Sequence, residues 1–126
     1  RDRNDARLIE ITADTVGAAG LRENGTLVST NHFVTKELTG ANIDNSRFSE
    51  IPSGERYDRL NALLTQNHGK IDAHTAITMI HDDAVKVDGT VQTVVFKPAD
   101  DLIWVWVRGR KPSAFTEFNV AELLGK

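Results

Sequence analysis

The chain contains no cysteine among its 126 residues. Disulfide bonds, thiolate metal sites and a cysteine nucleophile are therefore excluded within this chain. Proline is also scarce, with three residues, and the single methionine, Met79, lies in a segment with a helical pattern.

Blocks of basic residues and long apolar runs are both missing. Fifteen Lys and Arg stand against eighteen Asp and Glu, for a net charge of −3, so nothing offers a basic stripe along which nucleic acid could bind. The longest apolar run, at 102–107, is far shorter than the roughly 18 residues of a membrane span. We therefore expect no nucleic-acid partner and no membrane partner.

What the chain does have is enough apolar surface for a folded domain, because 40% of its residues are hydrophobic. It shows neither an internal repeat nor a Pro/Gly/Ser-rich linker. The sequence predicts one unit over residues 1–126.

The first third of the chain has the pattern of β-strands. Apolar residues cluster at 8–11 and 16–21, and a further strand is predicted at 27–30, after Asn24-Gly25. Asn-Gly is typical of a hairpin turn because both residues tolerate a positive φ. With Thr26 it also forms a glycosylation sequon, but the turn alone accounts for the residues. Residues 34–52 are irregular and predict a long loop, either a lid or binding segment or a surface excursion without a role.

The remainder alternates between helical and extended patterns. Ser53 is expected to cap a helix that ends near His68-Gly69, and a second helix is predicted over 72–81. Strands at 90–96 and 102–107 should form an antiparallel hairpin around the polar turn 98–101. The tail predicts a short strand followed by a helical turn capped by Asn119.

The two long strands are apolar on both faces, which predicts that both faces are covered. The expected fold class is therefore α+β, with antiparallel sheets in a four-layer α/β/β/α sandwich.

Asn31 is the first candidate functional residue. It ends a predicted strand, and alternation would place it with Leu27, Ser29 and Phe33 on a face that is expected to be mostly buried. Its amide can donate two hydrogen bonds without carrying charge, which suits the stabilisation of an oxyanion. An asparagine that only tethers the next loop is the alternative, and spacing alone favours it.

Arg56 is the second candidate, since it lies one helical turn before Leu60 and so projects along the apolar side of the first helix, whereas Arg59 points elsewhere. A guanidinium near a buried face needs a carboxylate or an oxyanion for its five donors. The alternative, which spacing favours, is a stem that extends to pair with a surface acid.

The four histidines, His32, His68, His74 and His81, lack the spacing of a metal site and are predicted to be surface or capping residues. No Gly-rich phosphate loop, no G-x-S-x-G elbow and no paired-carboxylate motif is present. No metal and no cofactor is expected.

Several short motifs, in a fixed order, resemble one known family. They are Thr30-Asn31-His32-Phe33, then Ser53-x-x-Arg56-Tyr57-x-x-Leu60, then Thr90-Val91-Gln92-Thr93-Val94-Val95-Phe96-x-Pro98, then Leu102-x-Trp104-Val105. The order and the spacing resemble the acyl-coenzyme A:isopenicillin N acyltransferase-like group of N-terminal nucleophile (Ntn) hydrolases, relatives of choloylglycine hydrolase and penicillin V acylase. The resemblance runs from about residue 5 to about residue 120.

The resemblance implies the same α/β/β/α fold and an autocatalytically exposed N-terminal cysteine that attacks an amide or thioester carbonyl. It implies that Asn31 contributes to the oxyanion hole and that Arg56 borders the nucleophile and holds its charge environment. A coenzyme A thioester would be an acyl-donor substrate rather than a cofactor.

The chain departs from the family because residue 1 is Arg and cysteine is absent. We therefore expect it to be the C-terminal portion of an amidohydrolase or acyltransferase whose nucleophile lies outside this chain, and to be inactive alone. The expected partners are the N-terminal portion of the same polypeptide and a small acylated substrate. Self-association is also expected, because half a sandwich exposes sheet edges. The lack of cysteine favours the cytoplasm without fixing localisation.

A second function class stays open at this point. The chain is alternatively a non-catalytic α+β binding or assembly module. A serine or threonine nucleophile within the chain has no supporting motif.

Overall fold

A computed structural model describes residues 6–43, 50–110 and 114–125. The predicted loop at 34–52 thus falls in part, at 44–49, outside the described residues. The fold is mixed α+β, and its contacts group residues 1–68 and 69–126 into two compact units, which are described one at a time. The elements are β1 (Arg7–Ile11), β2 (Val16–Gly20), α1 (Ser53–Gln66), α2 (Ala73–Ile80), β3 (Gln92–Lys97), β4 (Leu102–Val107), β5 (Thr116–Asn119) and α3 (Val120–Leu123), with 3-10 turns at Thr39–Ala41 and Pro98–Asp100.

In the first unit, β1 and β2 form an antiparallel pair. The turn at Asn24-Gly25 is present, with Gly25 at φ 70° and a backbone hydrogen bond of 2.9 Å from Arg22 N to Thr26 O. The strand predicted at 27–30 is wrong, because that segment has no strand pairing. Its Thr30 hydroxyl instead donates to the backbone carbonyl of Ser53, at 3.0 Å, so the segment is bonded to the start of α1 rather than to a strand.

The β1–β2 hairpin buries a carboxylate and exposes its aliphatic side chains. Glu10 and Gly17 are directly paired across the hairpin and are buried. On the opposite face, Ile9, Ile11 and Val16 are 62%, 64% and 61% exposed. The apolar face of this hairpin is therefore open, although β-branched residues usually occupy the covered face of a sheet.

Helix α1 has the predicted extent, but it does not begin as predicted. Pro52 is the N-cap residue and has no side-chain cap, while Ser53 is the first helical residue and is buried. The helix buries Leu63 and ends at Gln66, and the backbone N–H of Asn67 donates to the Leu63 carbonyl.

The second unit confirms the predicted second helix and hairpin. Asp72 caps α2 by accepting from the backbone N–H of Thr75 at 2.7 Å, and this hydrogen bond lowers the pKa of Asp72. Strands β3, β4 and β5 form one antiparallel sheet in that order. The predicted cap at Asn119 is also confirmed, since its side chain accepts from Glu122 N at 3.1 Å.

The faces of this sheet are covered unequally. Trp106 is buried, with 8% exposure, whereas Phe96 is 68% exposed. The prediction that both faces are covered is therefore correct at Trp106 and wrong at Phe96. Among the described residues, no helix is long and apolar enough to cross a membrane.

Candidate functional site

The two residues selected from the sequence meet in the first unit. Arg56, in the first turns of α1, donates from Nη2 to the side-chain oxygen of Asn31 at 2.8 Å. A guanidinium can only donate, so the contact identifies Oδ1 as the Asn31 atom that faces Arg56 and leaves Nδ2 as the donor end of the amide. The sequence therefore selected a pair that is in contact, although 25 positions separate the two residues.

Among the described residues, no acid pairs with Arg56, although the alternative interpretation required one. The residue is half-buried, and its Nε, a buried atom, has no hydrogen-bond partner among the described residues. The positive charge is therefore held beside a neutral amide.

Asn31 is exposed, which corrects the expectation of a mostly buried face. The expectation depended on the alternation of a strand at 27–33, and no strand forms there. Asn31 lies instead in an irregular segment and lines a cleft of ≈ 350 Å³. An exposed amide at a cleft is accessible to a ligand, whereas one in a core is not.

Sequence reasoning missed a network that joins His32, Thr30 and Ser53. His32 Nδ1 lies 2.9 Å from Ser53 Oγ and 3.0 Å from Thr30 Oγ1. The two hydroxyl oxygens are 2.9 Å apart, and Ser53 is only 4% exposed. The Pro52-Ser53 start of α1 suggests a cap, and nothing in its local pattern shows that the serine hydroxyl is directed at a residue 21 positions earlier.

Two aromatic and cationic contacts surround this network. Tyr57 presents its ring edge-on to His32, with 5.5 Å between ring centroids. Arg22 donates from Nη2 to the Tyr57 hydroxyl at 2.5 Å and lies 5.4 Å from the Tyr57 ring centroid. Tyr57 therefore holds one side of the His32 ring and is itself held by a cation.

Glu10 anchors the segment that follows Asn31 and His32. Its carboxylate accepts from the backbone N–H groups of Val34 and Thr35 at 2.9 and 2.8 Å. Burial acts to raise the pKa of Glu10, but the hydrogen bonds from Thr35 and Val34 outweigh it, so the pKa lies below its ordinary value. The ionised carboxylate thus fixes the backbone just beyond the candidate site.

The cleft itself has both apolar and polar walls. Strand β1 supplies Leu8 and Ile9, and the segment after the Asn24-Gly25 turn supplies Asn31, His32 and Phe33. A cavity with this mixture suits a small ligand with a hydrocarbon part and a few polar atoms.

The prediction that the histidines are surface or capping residues holds for His68, His74 and His81, since His81 is the C-cap residue of α2, and it is wrong for His32. His68 and His74 are exposed, but His32 and His81 are half-buried. No group of three potential metal ligands occurs in the part of the chain that the structure describes.

His81, in the second unit, belongs to a separate aromatic cluster. Its ring lies 5.1 Å from that of Trp106 and 4.9 Å from that of Phe115, and its Nε2 is 3.2 Å from Thr93 Oγ1. Burial, with a smaller contribution from the charge of Lys86, lowers the pKa of His81. Sequence reasoning gave no role to this cluster, which packs α2 against β3 and β4.

Comparison with known proteins identifies no relative: no family model, no curated protein and no solved structure matches the chain.

Proposed function

We propose that the chain is the C-terminal part of an Ntn amidohydrolase or acyltransferase, in which Asn31 donates a hydrogen bond to the oxyanion and Arg56 holds Asn31. The observation that carries the proposal is the 2.8 Å hydrogen bond from Arg56 Nη2 to Asn31 Oδ1. It joins the two residues that the motif resemblance assigns to catalysis, and it does so at the wall of a cleft.

The chemistry follows from the direction of this bond. Attack on an amide or thioester carbonyl places negative charge on the carbonyl oxygen, and preorganised donors stabilise that charge. Because Arg56 occupies Oδ1, the amide of Asn31 is fixed with Nδ2 as its donor. The guanidinium also draws electron density from the amide, which strengthens donation from Nδ2.

Arg56 has a second role in the proposal. A cationic side chain near a cysteine favours the thiolate, which is the reactive form of the nucleophile. The cysteine is supplied by the N-terminal portion of the same polypeptide. The substrate is a small acylated amine or a thioester, and coenzyme A thioesters fall within this class.

The architecture proposed for the complete enzyme is the four-layer α/β/β/α sandwich. Two antiparallel sheets support it, each with an apolar face that the described residues leave open, at Ile9 and Ile11 in one unit and at Phe96 in the other. In a sandwich, further layers would cover these faces.

The test uses the product of the full gene. Intact mass and N-terminal sequencing before and after incubation should find this segment joined to, or associated with, a chain that begins with cysteine. In that protein Asn31→Ala should lower kcat on the order of 10²- to 10³-fold, with KM little changed. A native product that begins near Arg1 and has no partner would refute the proposal.

The open apolar faces also favour the second candidate, a non-catalytic assembly module. Exposed aliphatic residues on a short strand pair are typical of a surface that another chain covers. A native product without a cysteine-bearing partner, but in a stable complex with another protein, would favour this function.

A further inference from the structure

We propose that His32 is the hydrogen-bond acceptor of the cleft, held with its proton on Nδ1 so that Nε2 accepts an N–H group from the ligand. The inference rests on the proposed function, because it concerns the same cleft, and it narrows the substrate class to acyl compounds that carry an N–H beside the carbonyl.

The first step is a count of protons around Nδ1. Four contacts lie between 2.9 and 3.0 Å: Nδ1 to Ser53 Oγ, Nδ1 to Thr30 Oγ1, Ser53 Oγ to Thr30 Oγ1, and Thr30 Oγ1 to the Ser53 carbonyl. The carbonyl can only accept, and each hydroxyl has a single proton to donate.

The second step assigns those protons. The Thr30 hydroxyl donates to the Ser53 carbonyl, and the Ser53 hydroxyl donates to Thr30 Oγ1. Both hydroxyl protons are then used, so the single proton on Nδ1 is shared between the two hydroxyl oxygens in a three-centre hydrogen bond. If Ser53 donated to Nδ1 instead, two of the four contacts would lack a proton. These are the contact between the two hydroxyl oxygens and the contact between Thr30 Oγ1 and Nδ1. The network therefore favours a protonated Nδ1.

The third step concerns the other nitrogen. A neutral imidazole with its proton on Nδ1 has an acceptor lone pair on Nε2. Within residues 6–43, 50–110 and 114–125, no group is hydrogen-bonded to Nε2 of His32. The ring is half-buried, lines the cleft and packs against Tyr57. Its acceptor is thus available to a ligand, while the ring is held in place from the Nδ1 side.

The fourth step is complementarity. Asn31 and His32 are consecutive, and both line the cleft. A donor and an acceptor at one wall match the C=O and N–H groups of a secondary amide. A thioester or a tertiary amide has the carbonyl but no N–H, and a site built to pair with an N–H rejects ligands that lack it. The apolar wall at Leu8, Ile9 and Phe33 accommodates a hydrocarbon substituent.

The first experiment measures the tautomer of His32 in the 126-residue chain labelled with ¹⁵N-histidine. At about pH 8.5, where histidine side chains are ordinarily neutral, long-range ¹H–¹⁵N spectra should show the proton of His32 on Nδ1. Ser53→Ala and Thr30→Val should each move the population towards the Nε2–H form, with His74 as an internal control that does not change. Circular dichroism verifies that each variant is folded. A wild-type His32 with its proton on Nε2 would overturn the proposal.

The second experiment measures ligand selection with a matched pair of probes, N-benzylacetamide and N-benzyl-N-methylacetamide. They share the carbonyl and the aromatic ring and differ in the N–H. The secondary amide should bind at least about tenfold more tightly, as expected when a site group loses its partner, and should shift the His32 Nε2 resonance. His32→Phe, which keeps a ring of similar shape, should bind the two probes equally.

The outcomes separate this proposal from the proposed function. If both amides bind equally and both shift the side-chain amide of Asn31, the role of His32 is refuted and that of Asn31 stands. If the secondary amide binds selectively and shifts His32 but not Asn31, the acceptor role stands and the oxyanion role of Asn31 loses support. Binding of neither probe would refute the His32 proposal, and the full-gene experiment would then decide the function.

Discussion

Gly17 lies against Thr35, so closely that a Cβ on Gly17 would come within 2.8 Å of the Thr35 Cβ. Gly17 is also paired with Glu10 across the hairpin, and Glu10 bonds the backbone N–H of Thr35. The hairpin, the buried carboxylate and the segment after the site therefore pack at one point, and glycine is what allows the approach.

Gly17→Ala should destabilise the chain by about 1–3 kcal/mol, the usual cost of overpacking. Chemical denaturation with urea measures the change. Gly20→Ala, in the same strand, is the matched control, because a Cβ there meets nothing within 4 Å. Equal effects of the two substitutions would show that the contact with Thr35 is not what limits position 17.

Glu10→Gln should destabilise the chain by about 1–3 kcal/mol, because the neutral amide is a weaker acceptor for two backbone N–H groups and adds buried donors. The control is Glu37→Gln, at an exposed position.

The lowered pKa of Glu10 fixes the sign of the pH effect. Its stabilisation is complete above the unfolded-state pKa, which is near 4.5, and is lost as the pH falls through the lower folded-state pKa. Glu10→Gln should therefore flatten the acid limb of a plot of melting temperature against pH.

His81 should give the stability of the chain a second pH dependence. The pKa of His81 is lowered from 6.5 by burial and by Lys86, so the unfolded chain binds a proton more readily than the folded chain. Stability should therefore fall as the pH drops below about 6.5 and level off below the folded-state pKa. His81→Gln should reduce this slope, and His74→Gln, at an exposed position in α2, should not. Melting temperatures of the parent chain and both variants, measured between about pH 7.5 and pH 5, test this prediction.

Arg56→Ala should cost about 1 kcal/mol of folding free energy through loss of the bond to Asn31, and it should shift the Asn31 side-chain amide signals in ¹H–¹⁵N spectra. Arg56→Lys retains the charge but not the planar fork, and should restore the signals only in part. Glu55→Ala, exposed in the same turn, is the control. Unchanged Asn31 signals in Arg56→Ala would contradict the contact.

The open hairpin face predicts self-association. Ile9→Thr combined with Ile11→Thr keeps β-branched residues and removes the apolar surface, so the double variant should elute as a smaller species than the parent chain in size-exclusion chromatography at matched concentration. Val91→Thr, 66% exposed in the other unit, is the control for a general gain in solubility. A parent chain that is monomeric at all concentrations would count against the prediction.

The sequence predicts best where the determinants are local. Helix α2, the β3–β4 hairpin and the Asn119 cap all depend on residues within a few positions of one another, and all are confirmed. The strand at 27–30 fails because the groups that bind this segment lie in α1, more than 20 positions away. Alternation along a strand that does not form then gives the wrong burial for Asn31.

The candidate site shows the same division between local and distant determinants. Asn31 and Arg56 were selected through motif resemblance, and the structure places them in contact. The partnership of His32 with Ser53 has no counterpart in local pattern, because a serine near a helix start is more often a cap. Only the fold decides that its hydroxyl bonds a ring from another segment.

The separation of 25 positions between Asn31 and Arg56 also has a kinetic consequence. Closing a chain loop of that length costs a free energy of about 3 kcal/mol, which is entropic in origin and grows with the logarithm of loop length. The β1–β2 hairpin and α1 need only local closures, so they can form before the site does. Docking of α1 on the segment at 30–33 is then the step that creates the Asn31–Arg56 pair, and slowing that step would yield molecules with native secondary structure but without this pair.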